Sequence, residues 1–194
     1  IYGYAEYMQR AHLNEEEIIE SAQFIINEAG YMRKISDSLL ELATLRQYTP
    51  RQEEIKLDIL FADIVKNLRG LLSNKQIEII CNCKTDNLFG QEDLIRSLLL
   101  NLGFNAIKAC PESGGIIILE AKEEKGHIIL SVLDNGCGIP QESILKVVEP
   151  FYRIDKARTR ELGGIGLGLA LCQQITSAHK AQMNIESELG KGTK

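Results

Sequence analysis

Four glycines stand within residues 163–168, in the order Gly-Gly-Ile-Gly-Leu-Gly, directly before a predicted helix. Glycine lets backbone N–H groups approach a phosphate closely, and the N-terminus of a helix adds positive electrostatic potential. The stretch lacks the Lys-Ser/Thr ending of a P-loop, and it follows a long loop rather than the strand that precedes a dinucleotide-binding fingerprint. Taken alone, the pattern fits a phosphate-binding loop and a plain glycine turn equally well.

A second motif, Asp-Asn-Gly-Cys-Gly-Ile-Pro at residues 134–140, follows a predicted strand. The carboxylate of Asp134 can accept a hydrogen bond from an exocyclic amine, and Gly136 and Gly138 would leave space for a planar ring. The alternative is a type I′ turn formed by Asn135 and Gly136. The motif alone does not separate the two.

A third motif places Asn101, Asn105 and Lys108 on one face of a predicted helix. Asparagine in the middle of a helix is unfavourable, so two of them on an otherwise apolar stripe indicate that their side chains have a specific role. A neutral amide oxygen is a suitable ligand for Mg²⁺, which takes its other ligands from water and phosphate. The alternative is a polar network in the core.

The elements that must position these motifs alternate between strands and helices beyond residue 50. A Glu-Lys-Gly sequence between two strand-like runs indicates a hairpin. This mixture predicts an α+β fold, in which helices cover one face of a mixed sheet. The predicted strands are 54–58, 76–83, 115–123, 127–134 and 181–187. The predicted helices are 60–72, 92–110 and 167–179, and 140–164 is a predicted long loop with a helical turn or two.

Residues 15–47 carry a different pattern, in which an apolar residue recurs every seven positions, at Ile18, Ile25, Met32 and Leu39. This repeat is typical of the seam of a helix bundle. Residues 1–12 look like the end of an earlier helix, so the two segments predict a helical hairpin, with a coiled-coil linker as the alternative. Pro50 cannot continue a helix and marks the predicted boundary between a hairpin at 1–49 and a second domain at 50–194.

Composition argues against several classes of function. The net charge of −5 disfavours a nucleic-acid groove held by phosphate contacts. Purely aliphatic runs reach only four residues, too few to span a bilayer. The five cysteines have no repeated spacing, so we expect free thiols rather than a metal site. The chain begins with Ile1 and shows no signal peptide, so we expect a piece of a longer protein.

In this order and spacing, the motifs resemble the ATP-binding domain of sensor histidine kinases, in the superfamily shared with DNA gyrase, the MutL mismatch-repair ATPases and the heat-shock chaperone ATPases. The N box of the kinase family matches residues 101–108, its G1 box 134–139, its F box 149–153 and its G2 box 160–168. Residues 190–193 resemble the closing turn whose Thr helps to hold adenine. The resemblance covers the whole chain and implies the Bergerat fold, an α+β fold preceded here by a helical hairpin.

The resemblance also implies a role for each matching residue. Asp134 would bind the adenine amine, Gly138 would lie against the ring, and Asn105 would ligate Mg²⁺. Lys108 and Arg160 would offset phosphate charge, and the G2-box glycines would hold phosphates by their backbone. The implied ATP-binding residues are Asn101, Asn105, Lys108, Ala109, Asp134, Gly136, Gly138, Ile139, Tyr152, Arg153, Arg160, Gly164, Ile165, Gly166, Leu167, Gly168 and Thr193.

Two positions depart from the family pattern. Ala109 stands where family members often carry an aromatic residue, and Cys137 fills the variable slot of the G1 box. The first departure removes an expected stacking wall, and the second places a thiol near the nucleotide. The segment 140–163 would be the lid that closes on ATP.

For the intact protein, the resemblance implies transfer of the ATP γ-phosphoryl group to a His and then to an Asp of a response regulator. It implies a homodimer formed through the hairpin, and the cytoplasmic portion of a membrane-anchored sensor. His12, His127 and His179 all lack the acidic neighbour and the Thr/Ser-Pro that accompany the family's acceptor His. Residues 1–6 resemble the stretch just after that motif, so we expect the acceptor upstream of Ile1 and a fragment that binds ATP without phosphorylating itself.

Two rival functions are weaker. An ATP-hydrolysing clamp of the gyrase type carries a Glu four residues before the metal-binding Asn, where this chain has Asn101, a poor base. A nucleotide-binding pseudokinase that only scaffolds would not need the phosphate and metal residues, and all of them are in place.

Overall fold

The structure, a computed structural model, describes residues 1–10, 13–46, 48–72, 75–154 and 165–194. The chain divides into two compact units, Ile1–Ala43 and Thr44–Lys194. Within the described residues, no helix combines the length and the apolar character needed to cross a membrane.

The first unit is a helical hairpin, as the sequence predicts. Helix α1 spans Tyr2–Arg10, and helix α2 begins at Glu15 and continues to Leu45. Asn14 caps α2, because its side chain accepts the N–H of Glu17 while the Glu17 carboxylate accepts the N–H of Asn14, both at 2.9 Å. The rings of Tyr4 and Phe24 stack with centroids 4.1 Å apart and join the two helices.

The second unit contains a five-stranded sheet in the order β2-β4-β5-β7-β6 and a two-stranded sheet of β1 and β3. Among the described strands of the larger sheet, β2 and β4 run parallel and the other pairs run antiparallel, so the sheet is mixed, as predicted. The strands are β1 Glu53–Lys56, β2 Gln76–Cys83, β3 Asn87–Gly90, β4 Ser113–Glu124, β5 His127–Asp134, β6 Ser187–Glu188 and β7 Gly192–Thr193. The helices are α3 Leu57–Arg69, α4 Glu92–Ala109 and α5 Gly168–Ala178, with a short 3₁₀ turn at Gln141–Ser143.

The core lies between one face of the larger sheet and the helices α3 and α4. In β4 the buried positions alternate, which gives the sheet one apolar face. In α3 they recur at helical spacing and form one apolar stripe. Gly103 lets α4 approach α3, because a Cβ there would lie 2.6 Å from a methyl carbon of Leu68. The α+β prediction, with helices on one face of a mixed sheet, is confirmed.

The structure corrects several predicted boundaries. The helix predicted from residue 60 begins at Leu57, directly after β1. Strand β3 was not predicted, because its sequence Asn-Leu-Phe-Gly begins and ends with turn-forming residues. The strand predicted over 181–187 is wrong except at Ser187. Regular pairing is confined there to β6 and β7, which are only two residues each.

Candidate nucleotide-binding site

Three side chains stand in a row where β5, β7 and β6 lie next to each other. Asp134, the last residue of β5, pairs with Thr193 of β7, and Thr193 pairs with Ser187 of β6. Residues directly opposite in antiparallel strands point to the same face, so the three side chains share one face of the sheet. We call these three residues, together with the turn at 136–139, the sheet-edge cluster.

The carboxylate of Asp134 is half-buried and held from two sides. It accepts the N–H of Gly136 at 2.8 Å and a second hydrogen bond from the N–H of Thr193. Burial raises the pKa of Asp134, and these two hydrogen bonds oppose the rise. A carboxylate fixed in this way keeps acceptor capacity for one further donor.

Asn135 anchors the turn that follows Asp134. Its amide oxygen accepts the N–H of Ile116 at 2.8 Å, and its amide nitrogen donates to the carbonyl of Gly114 at 2.9 Å. Neither Asn135 nor Gly136 has a positive φ, so the type I′ turn is excluded. Sequence reasoning gave Asn135 no role beyond that turn, although its side chain ties the turn to the start of β4.

The two glycines of this turn are required by close packing against the protein itself. A Cβ on Gly136 would lie 2.6 Å from the carbonyl group of Ala109, at the end of α4. Gly138 has a φ of 69°, and a Cβ there would lie 2.1 Å from the carbonyl oxygen of Glu188. The N–H of Cys137 also donates to the carbonyl of Ala109 at 3.1 Å, so the turn is clamped between α4 and β6.

Ser187 is a second residue that sequence reasoning missed. Its hydroxyl accepts the N–H of Ile139 at 2.8 Å, donates to the carbonyl of Gly192 at 2.8 Å, and lies 2.9 Å from the hydroxyl of Thr193. Ile139 lies 48 residues away in the chain, and only the fold brings it to Ser187.

Helix α4 carries the three residues of the predicted metal and phosphate face. Asn101 donates to the carbonyl of Ser97 at 2.9 Å, and its amide oxygen would lie 3.0 Å from a Cβ on Gly168, so Gly168 lets α5 begin against α4. Asn105 is exposed, and its side chain forms no hydrogen bond to any described residue. Lys108 is half-buried one turn later. An exposed, uncommitted amide is suited to bind a metal ion.

The F box and the start of α5 contact each other directly. The N–H of Phe151 donates to the carbonyl of Gly166 at 2.8 Å, and a Cβ on Gly166 would lie 2.9 Å from the carbonyl oxygen of Tyr152. The hydroxyl of Tyr152 lies 3.0 Å from that of Ser143. Atoms Nε and Nη2 of Arg153 are buried without a hydrogen-bond partner among the described residues. Two buried guanidinium nitrogens without partners favour an anionic ligand, so Arg153 is suited to bind a phosphate.

The structure thus brings most of the predicted residues into two groups. The first is the sheet-edge cluster. The second, which we call the helical cluster, comprises the α4 face and the F-box and G2-box residues in contact near α5. Ala109 joins them, because it ends α4 and packs against Gly136. The predicted residues Arg160 and Gly164, and positions 155–163 of the predicted lid, lie outside the described residues. Ile165 and Leu167 lie in the segment that enters α5.

Comparison with known proteins places this geometry in a family. Residues 90–194 match the family of histidine kinase-, DNA gyrase B-, and HSP90-like ATPases. The chain is 34% identical over 200 residues to the sensor histidine kinase YkoH of Bacillus subtilis, covering 100% of this chain and 42% of that protein. The chain spans less than half the length of this relative and of two other curated relatives, the sensor histidine kinase WalK and the phosphate regulon sensor protein PhoR.

Two solved structures share the fold. Full-length ShkA in complex with AMPPNP matches with a TM-score of 0.76 and 23% identity, covering 98% of this chain and 40% of that one. Histidine kinase ThkA in complex with response regulator protein TrrA matches with a TM-score of 0.75 and 21% identity, covering 98% and 53%. The chain therefore belongs to the family of histidine kinase-, DNA gyrase B- and HSP90-like ATPases, and it carries the ATP-binding domain of a histidine kinase.

Proposed function

We propose that this chain binds ATP with its adenine at the sheet-edge cluster and its phosphates at the helical cluster. The observation that carries the proposal is Asp134, a half-buried carboxylate held by two N–H groups at a strand end. Its remaining lone pairs suit the exocyclic amine of adenine. The two buried, unpaired nitrogens of Arg153 would donate to phosphate oxygens.

Mg²⁺ belongs to the same proposal. Asn105 would hold it through the amide oxygen, because this side chain is exposed and has no hydrogen bond to any described residue. The ion, when bound, neutralises phosphate charge and orients the triphosphate. Lys108 and Arg153 would add positive charge from the protein.

In the intact kinase, a His nitrogen would attack the γ-phosphorus, a P–N bond would form, and ADP would leave as the P–O bond breaks. The phosphoryl group would then pass to an Asp of a response regulator. ThkA was solved with such a regulator, which supports the same kind of partner here. ATP and response regulators occupy the cytoplasm, so we place this portion of the kinase there.

We further propose that residues 1–49 are a dimerisation hairpin and residues 50–194 the ATP-binding domain. Three members of the seven-residue stripe, Ile18, Met32 and Leu39, are 43%, 61% and 42% exposed within the chain. A second copy of the hairpin would cover them in a homodimeric four-helix bundle. Sedimentation across a concentration series tests this, and a strictly monomeric chain would contradict it.

We also propose that this chain alone does not phosphorylate itself. His179 is committed to packing, since its Nε2 accepts the N–H of Gln91 at 3.2 Å and its Nδ1 lies 2.8 Å from the carbonyl of Ile175. His127 is exposed at the start of β5, where Glu124 lies opposite it in the register, but it lacks the Thr/Ser-Pro that accompanies the family's acceptor His. His12 lies outside the described residues.

The central experiment is calorimetric titration of the whole chain with ATP, with and without Mg²⁺, followed by incubation with γ-labelled ATP. We expect ATP binding that Mg²⁺ strengthens, and no acid-labile label on His12, His127 or His179. No ATP binding would refute the proposed function, whereas label on one of these histidines would refute only the claim that the acceptor lies elsewhere.

A further inference from the structure

The hydroxyl of Ser187 has a fully determined set of hydrogen bonds. A serine hydroxyl offers one hydrogen and two lone pairs. The hydrogen of Ser187 goes to the carbonyl of Gly192, which can only accept, and one lone pair takes the N–H of Ile139, which can only donate. The second lone pair of the Ser187 oxygen is then the group that faces Thr193 across their 2.9 Å contact. The hydroxyl of Thr193 must therefore be the donor in this hydrogen bond.

This assignment fixes the direction in which the hydroxyl of Thr193 donates its hydrogen bond. Its single hydrogen is directed at Ser187, so its lone pairs remain for a ligand. Asp134 lies opposite Thr193 in the register, and its ionised carboxylate is also only an acceptor. Directly opposed side chains have Cβ atoms about 4.5–5.5 Å apart, so one small polar group can reach both.

We propose that Ser187 is a positioning residue which holds Thr193 as an acceptor beside Asp134, and that this paired acceptor edge selects 6-amino purines over 6-oxo purines. The inference rests on the proposed binding of ATP at the sheet-edge cluster. A 6-amino group has two hydrogens, one for each acceptor. A 6-oxo group has only lone pairs, which both side chains repel.

The backbone around Ser187 supports a positioning role. Gly192 has a φ of 114°, and a Cβ there would lie 1.9 Å from the carbonyl oxygen of Asp134, so β7 is pressed against β5. The carbonyl of Ser187 also accepts the side-chain amide of Gln141 at 2.9 Å. These contacts hold the serine in place, so the direction of its hydrogen bonds does not depend on a mobile rotamer.

The test compares ATP with inosine triphosphate, which differs from ATP at the 6 position and in the protonation of N1. Calorimetry would give both dissociation constants for the wild-type chain, for Ser187→Ala, and for Ser177→Ala, an exposed serine in α5 that serves as the control. In Ser187→Ala the hydroxyl of Thr193 loses its acceptor and can turn its hydrogen toward a 6-oxo group. We expect the preference for ATP to narrow by about three- to tenfold.

A merely structural role of Ser187 would give a different result. Loss of local order would weaken both nucleotides by the same factor and leave the preference unchanged, which would overturn the inference. A second variant, Thr193→Val, keeps the inference testable if Ser187→Ala does not fold. Thr193→Val should also narrow the preference, and adding Ser187→Ala to it should then change the preference no further.

The outcomes separate the inference from the proposed function. A wild-type chain that binds neither nucleotide overturns both. A chain that prefers ATP, with the same preference in Ser187→Ala and Thr193→Val, keeps the proposed function and overturns the inference alone.

Discussion

The two clusters of the site differ in how their polar groups are satisfied. In the sheet-edge cluster, the hydroxyl of Ser187 makes three hydrogen bonds and the carboxylate of Asp134 accepts two. In the helical cluster, the amide of Asn105 and two nitrogens of Arg153 have no hydrogen-bond partner among the described residues. The sheet-edge cluster is therefore held in place by the protein's own hydrogen bonds before any ligand binds. The helical cluster instead has donors and acceptors that a ligand would satisfy.

This difference predicts that substitutions in the two clusters weaken the binding of different sets of ligands. A change in the sheet-edge cluster should weaken every ligand that carries the base, with or without phosphates. A change in the helical cluster should weaken only ligands that carry phosphates or a metal ion. Adenosine, which has the base but no phosphate, separates the two.

The largest effect is expected for Asp134→Asn. The amide can present an N–H to the adenine amine, donor against donor, and an unmatched pair in a buried site costs about 1–3 kcal/mol. Affinity for ATP, ADP and adenosine should fall by roughly ten- to a hundredfold in calorimetry. Asp93→Asn, an exposed carboxylate in α4, is the control. Unchanged adenosine affinity in Asp134→Asn would rule out the adenine assignment.

Arg153→Met should have a somewhat smaller effect, confined to the phosphates. The thioether keeps much of the apolar stem but removes the buried donors, which would bond phosphate oxygens with charge assistance. We expect ATP affinity to fall by about tenfold while adenosine affinity stays within the error of the titration. Arg69→Met, at the exposed end of α3, is the control. An equal loss for adenosine would show that Arg153 supports the fold.

Asn105→Ala should remove chiefly the part of ATP binding that depends on Mg²⁺. One lost side-chain ligand corresponds to about 1 kcal/mol, or roughly fivefold in affinity, because water can replace it. Asn82→Ala, an exposed amide in β2, is the matched control. If the affinity measured in EDTA falls as much as the affinity in Mg²⁺, the metal assignment of Asn105 is wrong.

Long periodic elements could be predicted from the sequence, and short paired ones could not. Strands β2 and β5 have the predicted bounds, because each is eight residues long and rich in aliphatic side chains. Strands β6 and β7 have two residues each, and they are strands only because β7 pairs with β5 and β6 pairs with β7. The four residues of these two strands form no local sequence pattern that shows which strands they pair with.

The same limit applies to the site. Asp134 and the glycines stand in a recognisable motif, so the sequence points to them. Asn135 and Ser187 act through partners 19 and 48 residues away, and nothing in their immediate neighbours marks them. The glycines were predicted to leave room for a ring, whereas Gly136 and Gly138 are pressed against Ala109 and Glu188. This requirement for glycine arises from the packing of separate elements against each other, so the sequence motif alone does not show it.

The smallest predicted effect concerns the stability of the empty domain. Burial raises the pKa of Asp134 above its ordinary value of 3.8, so the folded state binds this proton more tightly than the unfolded state. The stabilising contribution of the group is therefore complete below the unfolded pKa and is lost as pH rises through the folded pKa. At neutral pH the ionised carboxylate destabilises the empty domain relative to a neutral side chain.

Asp134→Asn should consequently raise the Tm of the nucleotide-free protein at pH 7, by about 1–3 °C for a chain of this size. The Asn oxygen can still accept the N–H of Gly136, so the turn keeps its anchor. Scanning calorimetry at several pH values provides the measurement, and the gain in Tm should shrink as pH falls through the raised pKa of Asp134, because the wild-type carboxyl is then protonated. A lower Tm for the variant at pH 7 would mean that the two N–H groups outweigh burial. The variant that most weakens ATP binding is thus expected to be the more stable protein when empty, because the charge that the base requires is one the fold disfavours.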